Sequence, residues 1–174
     1  MSKELESLKV DRLSPEIYLA GLKSLPILTV DFVLQRPDGK ILLAIRNEGA
    51  YVGEWFCFGG RLERGESDTE ALLRVASREV GLTRFEYIKT TFVCFQHVYN
   101  PPGRNVDGPL PAYHSVWHFY VIQVRQNFEP RLDKTSETSD WFNPMFPMKL
   151  PEPVYKALLM AIIEGKLLRG TDRA

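Results

Sequence analysis

The sequence predicts an α/β protein, an α/β/α sandwich built on a mixed β-sheet. Three observations carry that expectation. Strand-like and helical runs follow one another as strand, helix, strand, strand, helix, an order that lays helices on a sheet. The run from Ser67 to Val80 contains no residue that breaks a helix, and it meets Gly81, a residue suited to a left-handed C-terminal cap. The chain has 174 residues and is 44% hydrophobic, which suits one packed domain over residues 1–174.

Residues 1–25 read as an N-terminal extension and a short helix. Ser14-Pro15-Glu16 supplies an N-cap, a first-turn proline and an acidic first turn, and Pro26 ends the helix. Ile27 to Gln35 is a strand, Asp38-Gly39 a hairpin turn, and Lys40 to Asn47 the returning strand. Gly53 to Gly60 is a short strand that runs into a glycine turn. The Ser67–Val80 helix follows, with Asp68 and Glu70 where negative charge suits the positive end of its dipole. Phe85 to Tyr99 is strand-rich and apolar. Asn100 to Pro111, rich in proline and glycine, reads as a loop with Arg104 and Asp107 in it, one that either shapes or covers a site or is a plain surface excursion. His114 to Val124 is a strong strand, Arg131 to Ser139 a polar loop, and Asp140-Trp141-Phe142 re-enters the core. A terminal amphipathic helix is expected over 151–169.

Bulk properties exclude several classes. Twenty-two basic side chains balance 22 acidic ones, so nucleic acid is not the expected partner. No apolar run is long enough for a membrane span, and the charged N-terminus lacks an apolar signal core, so a cytoplasmic protein is expected. Cys57 and Cys94 lie in apolar runs and read as buried thiols.

The chemistry concentrates in Gly60 to Leu82, a glycine turn, an acid and a capped helix. Glu66 precedes the helix and Glu79 sits in its last turn; Gly59 and Gly60 permit close approach of backbone, so that a carbonyl there can face a cation. Magnesium takes few protein carboxylates and completes its shell with waters and phosphate oxygens, so one or two acids suffice. The bland alternative is an amphipathic helix with capping acids and ordinary surface charge. His97 lies between aromatics on a strand; histidine titrates near neutrality, so it is a candidate base as well as a structural residue. His114 and His118 share a strand face.

The segment resembles the Nudix box: glycine, five residues, glutamate, seven residues, then Arg-Glu-apolar-any-Glu-Glu-any-Gly-apolar. Gly60, Glu66, Arg74, Ala76, Glu79, Gly81 and Leu82 fall on the pattern, while Val75 and Arg78 replace two of its glutamates. The same paired losses occur in the GDP-mannose mannosyl hydrolase branch. Leu25 to Asn47, Gly53 to Arg61 and Phe95 to Tyr99 are also similar to that branch, although Phe58 replaces its usual proline and Ser115 a tyrosine. The resemblance implies a magnesium-dependent hydrolase of a nucleoside diphosphate sugar that cleaves the sugar carbon–oxygen bond. Gly59 (by its carbonyl) and Glu79 are the implied magnesium ligands, with Glu66 as a further candidate. Arg46, Arg61 and Arg74 are implied to contact the diphosphate or leaving group, and Asp31 to recognise the nucleotide or support the site. Ser136 and Glu137 stand where the branch has a glutamine–histidine pair, which makes Glu137 a candidate magnesium ligand or general base. A phosphoanhydride-cleaving enzyme using Glu79, Glu66 and Glu137 is the nearest alternative, and a non-catalytic nucleotide-binding module is another. The two terminal helices offer apolar faces, and the branch is dimeric, so a homodimer is expected.

Overall fold

The computed structural model describes residues 13–105, 108–145 and 149–167. The expected extension over residues 1–12, Asp107, and positions 168–169 of the expected last helix lie outside them. The elements in order are α1 (Pro15–Ser24), β1 (Ile27–Gln35), β2 (Ile41–Arg46), β3 (Trp55–Phe56), β4 (Phe58–Arg61), α2 (Asp68–Val80), β5 (Tyr87–Asn100), β6 (Gly103–Asn105), β7 (Gly108–Leu110), β8 (Tyr113–Val124), β9 (Ser136–Phe142) and α3 (Glu152–Ile163).

The main sheet runs β3-β2-β1-β8-β5, with β4 also on β1 and β9 also on β2. It is mixed, because β1 and β8 are parallel over Ile27–Gln35 and Ser115–Gln123 while the other pairs are antiparallel. Two apolar clusters cover its faces. Val30, Phe32, Leu34, Phe58 and Ile122 pack with Ala71, Leu72, Val75, Ala76 and Val80 of α2. Val33, Leu43, Phe56, Phe119 and Val121 pack with Val154, Ala157, Leu158 and Ala161 of α3. Successive strand residues point to opposite faces, so one strand supplies both clusters. The α/β/α sandwich expected from the sequence is the architecture observed.

α2 is closed at both ends by local chemistry. Ser67 accepts from the Glu70 N–H while the Glu70 carboxylate accepts from the Ser67 N–H, a reciprocal capping box. Gly81 takes the left-handed conformation at φ 69°. α1 is capped by Ser14, whose side chain accepts from the Ile17 N–H.

Several boundaries differ from the sequence reading. The Gly53–Gly60 run makes two short strands, because β1 and β2 pair only at Leu34↔Leu42 and Gln35↔Ile41 and then splay. The chain fills the wedge, laying β3 on β2 and β4 on β1. Gly59 and Gly60 therefore lie in a strand, and the turn is made by Gly65 at φ 82°. Asn100–Pro111 is not a plain loop: β6 and β7 form a hairpin whose Arg104 exchanges backbone hydrogen bonds with Gly49. The polar run Arg131–Ser139 already becomes strand at Ser136, where β9 begins to pair with β2. The last helix begins at Glu152 and ends at Ile163, where Gly165 at φ 63° breaks the path. Cys57 is buried and Cys94 half-buried, and both are free thiols. Among the described residues no helix is long and apolar enough to cross a membrane.

Candidate functional site

At the open end of the wedge, β1, β4 and the last turn of α2 converge. Asp31 and Gly59 are partners in the β1–β4 ladder. The Gly59 N–H donates to Glu79 Oε2 at 3.2 Å instead of to β1. Within a strand, the N–H and C=O of one residue leave on the same edge. The Gly59 carbonyl therefore also points away from β1, toward the side occupied by Glu79. A Cβ at Gly59 would come within 2.2 Å of Asp31 Oδ1, so glycine is required for the strand and the carboxylate to lie this close.

Asp31 and Glu79 are both buried. Burial pushes Asp31 up to about 7 and the nearby Glu79 charge adds to the rise, opposed by a 2.5 Å hydrogen bond from Thr29 Oγ1 and by the Arg46 charge. Burial likewise raises Glu79, against the Arg78 charge and hydrogen bond, Arg46 and the Gly59 N–H. Arg78 Nη2 stands 2.6 Å from Glu79 Oε1, and Arg78 Nε lies 3.9 Å from Asp133.

Arg46 flanks the same region. Its Nε donates to the Glu48 carbonyl and its guanidinium lies 4.6 Å from the Phe56 ring centre. Gly49, at φ 89°, leaves room for it, since a Cβ there would lie 2.6 Å from Arg46 Nη2. Arg61 lies over the Tyr18 ring at 5.5 Å. Tyr113 is pushed up to about 12 by burial, against the pull of the Arg46 charge, with Tyr18, Asp31 and Tyr51 also acting on it. Arginine and tyrosine side chains thus border the two acids.

Other expected site residues are held differently. Glu66 forms a two-pronged pair with Arg74, Oε1–Nε 2.6 Å and Oε2–Nη2 2.7 Å, and accepts from the Glu63 N–H. The Arg74 hydrogen bond keeps Glu66 below the usual carboxylate range. Arg74 Nη2 also donates to the Arg61 carbonyl. This pair pins the Arg61–Glu66 connection to α2 and sets where β4 ends. Val75 is fully buried in the core against Gly60. Glu137 is exposed on β9, next to Ser136, the ladder partner of Arg46. His97 lies on β5, which is separated from β4 by β1 and β8. At about 4.8 Å per strand that is roughly 14 Å away. Its Nδ1 meets His114 Nε2 at 3.0 Å, and His118 Nδ1 lies 2.7 Å from Asp68. The structure therefore brings Asp31, Gly59, Glu79 and Arg46 together and does not bring His97 to them.

The donor set at Glu79 and Gly59 is hard oxygen, and beside Gly59 and Gly60 stand the Glu79 carboxylate and the Arg78 guanidinium paired with it, so the residues fit an ion that takes few protein ligands and displaces Arg78 from the acid. Among the described residues no group of three or more His, Cys, Asp or Glu side chains is placed to hold a metal ion. Tyr18, Tyr113 and Asp133 escaped the sequence reading. Asp133 alone left a local trace: Asp133-Lys134-Thr135 is a turn in which the Asp133 carboxylate accepts from the Thr135 N–H and hydroxyl.

The NUDIX domain family profile matches residues 25–160. The low-salt glycan biosynthesis protein Agl8 of Haloferax volcanii is 34% identical over 118 residues, covering 68% of this chain and 72% of that protein. An oxidized purine nucleoside triphosphate hydrolase of Danio rerio is 31% identical over 83 residues, covering 42% of this chain and 52% of that protein. Among solved structures, a MutT NUDIX hydrolase from Burkholderia pseudomallei shares the fold with a TM-score of 0.61 at 23% identity, over 79% of this chain and 98% of that one. The NUDIX domain of Shewanella oneidensis NrtR, complexed with ADP ribose, shares it with a TM-score of 0.62 at 19% identity, over 87% of this chain and 99% of that one.

Proposed function

The chain belongs to the Nudix hydrolase family, and from that premise we propose that it hydrolyses a nucleoside diphosphate sugar at the sugar carbon–oxygen bond, with magnesium as its cofactor. The observation that carries the reading is the pair of exchanges inside the box. Val75 is a core residue with no exposed surface, and Arg78 places positive charge on Glu79. Glu66 is held by Arg74, so Glu79, once Arg78 is displaced, is the box carboxylate that one ion would use. A single ion suits a reaction in which the phosphate leaves as an intact group. It suits less well an attack at phosphorus supported by several ions. The glycan-related relative supports a sugar substrate, and a GDP-mannose-like compound is the starting point.

Gly59, by its carbonyl, and Glu79 would hold the magnesium, which supplies charge stabilisation for the departing diphosphate. Arg46 and Arg61 bind the phosphates, and the tyrosines beside them border the nucleoside. Arg74, through Glu66 and the Arg61 carbonyl, positions Arg61 and β4. Glu137 takes the proton of the attacking water. The new bond joins water oxygen to the anomeric carbon, the bond from that carbon to the phosphate oxygen breaks, and its electron pair leaves with the nucleoside diphosphate. Asp31 supports the Gly59 backbone. The enzyme works as a cytoplasmic homodimer in this reading, docked through apolar side chains such as Ile17 on α1 and Ile163 on α3, both exposed.

Turnover in oxygen-18 water is the test. Label on the released sugar is expected. Label on the phosphate identifies phosphoanhydride cleavage, the chemistry suggested by the purine triphosphate relative, and overturns this reading.

A further inference from the structure

Glu79 offers two oxygens, and both are engaged. Oε2 accepts from the Gly59 N–H, and Oε1 meets Arg78 Nη2 at 2.6 Å. Arg78 is on the same turn of α2 as the acid it neutralises, one residue before it. Its side chain is 49% exposed, so the guanidinium has open solvent on one side. On another side stands Asp133, 3.9 Å from Nε, carried by a turn that is tied to the end of α2 through the Asp133 N–H to the Glu79 carbonyl. Gly60 completes the enclosure, since a Cβ there would lie 3.2 Å from Arg78 Nη2. The guanidinium therefore rests on the ion-binding carboxylate, with a second anion within reach and solvent on its open side.

A fixed positive charge at this place opposes a divalent ion directly. It also attracts a phosphate, for which guanidinium is the side chain of choice. We propose that Arg78 is a gate on the Glu79 cation site: a resident cation that a nucleoside diphosphate draws off the carboxylate and onto its phosphates, with Asp133 as the alternative partner. The inference rests on the reading of Glu79 as the cation ligand and deepens it. Its consequence is that cation and diphosphate help each other bind. Each becomes easier once the other has settled the arginine, and the coupling is reciprocal.

The test uses the full chain and two binding measurements that need no turnover. Manganese affinity is read from the free-ion electron paramagnetic resonance signal without nucleotide, and GDP affinity by calorimetry in chelator without metal. Arg78→Met is expected to bind manganese fivefold or more tighter than the parent and metal-free GDP fivefold or more weaker. Opposite signs from one substitution set Arg78 apart from a merely structural arginine, and manganese binding that GDP strengthens in the parent more than in Arg78→Met sets a gate apart from a fixed charge. Arg78→Lys, which keeps the charge, should stay within about twofold of the parent in manganese affinity, and it serves also where the methionine variant fails to fold. Glu79→Gln identifies the site by losing the ion. Manganese lost in Glu79→Gln but unchanged in Arg78→Met overturns the gate and leaves the proposed function standing. No manganese bound by either the parent or Arg78→Met overturns both. Binding by Arg78→Met alone establishes the gate in its strongest form.

Discussion

Gly59 and Asp31 face each other across the β1–β4 ladder so closely that a methyl group on Gly59 would lie 2.2 Å from Asp31 Oδ1 and 3.1 Å from the Val30 carbonyl. Neither neighbour is the free end of a long side chain. Gly59→Ala must therefore push β4 away from β1 or turn the buried carboxylate. A loss of about 1–3 kcal/mol in urea denaturation is expected, the usual range for overpacking. Manganese affinity should fall at the same time, because the Gly59 N–H that orients Glu79 moves with the strand. Unchanged stability and unchanged ion affinity would show that the ladder has slack at this point.

Asp31 gives stability a pH dependence of defined sign. Its folded-state value of about 7 lies above the ordinary carboxylate value of ~3.9. Between those values the folded chain keeps a proton that the unfolded chain has released. Stability should therefore fall as pH rises from about 4 to about 7 and level off above, by on the order of a few kcal/mol. Asp31→Asn removes this part of the slope and leaves the part due to Glu79, which burial also raises. Metal-free chemical denaturation at half-unit pH steps reads the difference. A parent protein whose stability rises over that window contradicts the assignment.

Arg74 and Glu66 are expected to act as one structural unit. Arg74→Ala leaves Glu66, whose side chain is 10% exposed, without its cationic partner. A loss of about 1–3 kcal/mol is expected from the charged hydrogen bonds alone. Glu66→Gln should cost less, since an amide still accepts from Arg74. A double-mutant cycle in thermal unfolding measures the coupling, and additivity within about 0.5 kcal/mol would mean the two side chains work independently.

Ser67→Ala removes one half of the capping box at the start of α2. About 1 kcal/mol of stability should go with it. The site stands at the far end of the helix, so ion affinity at Glu79 should remain within twofold, a contrast that separates a general weakening of α2 from damage to its last turn.

What could be read from the sequence follows from how local each feature is. α2 is legible because its ends are closed by residues a few positions apart, Ser67 with Glu70 at one end and Gly81 at the other. α1 is legible for the same reason through Ser14 and Pro15. β9 was not, because polar Ser136 to Asp140 becomes strand only by lying on β2, some ninety residues earlier in the chain. The β6–β7 hairpin looks like a loop until Gly103 is seen against the Gly49 carbonyl, where a Cβ would come within 2.0 Å. In the candidate site, the spacing of Glu66, Arg74 and Glu79 places them before and along α2, where the structure has them. It did not show that Glu66 is held by Arg74 while Glu79 is held by Arg78. Tyr18 and Tyr113 carry no local signature. Their neighbourhood with Arg46 exists only after β8 has aligned beside β1.

That alignment also has a temporal side. Asp31 belongs to a strand whose parallel neighbour, Ser115 to Gln123, is made almost ninety residues later. Closing so long a span is entropically slow and precedes any reward from the contacts it brings. A ribosome-bound chain that ends before β8 can own the complete capped helix and every box residue, yet β1, which carries Asp31, still lacks the parallel neighbour that fixes it in the sheet. Competence to bind an ion should thus emerge late and abruptly during synthesis, well after the signature segment itself has taken shape.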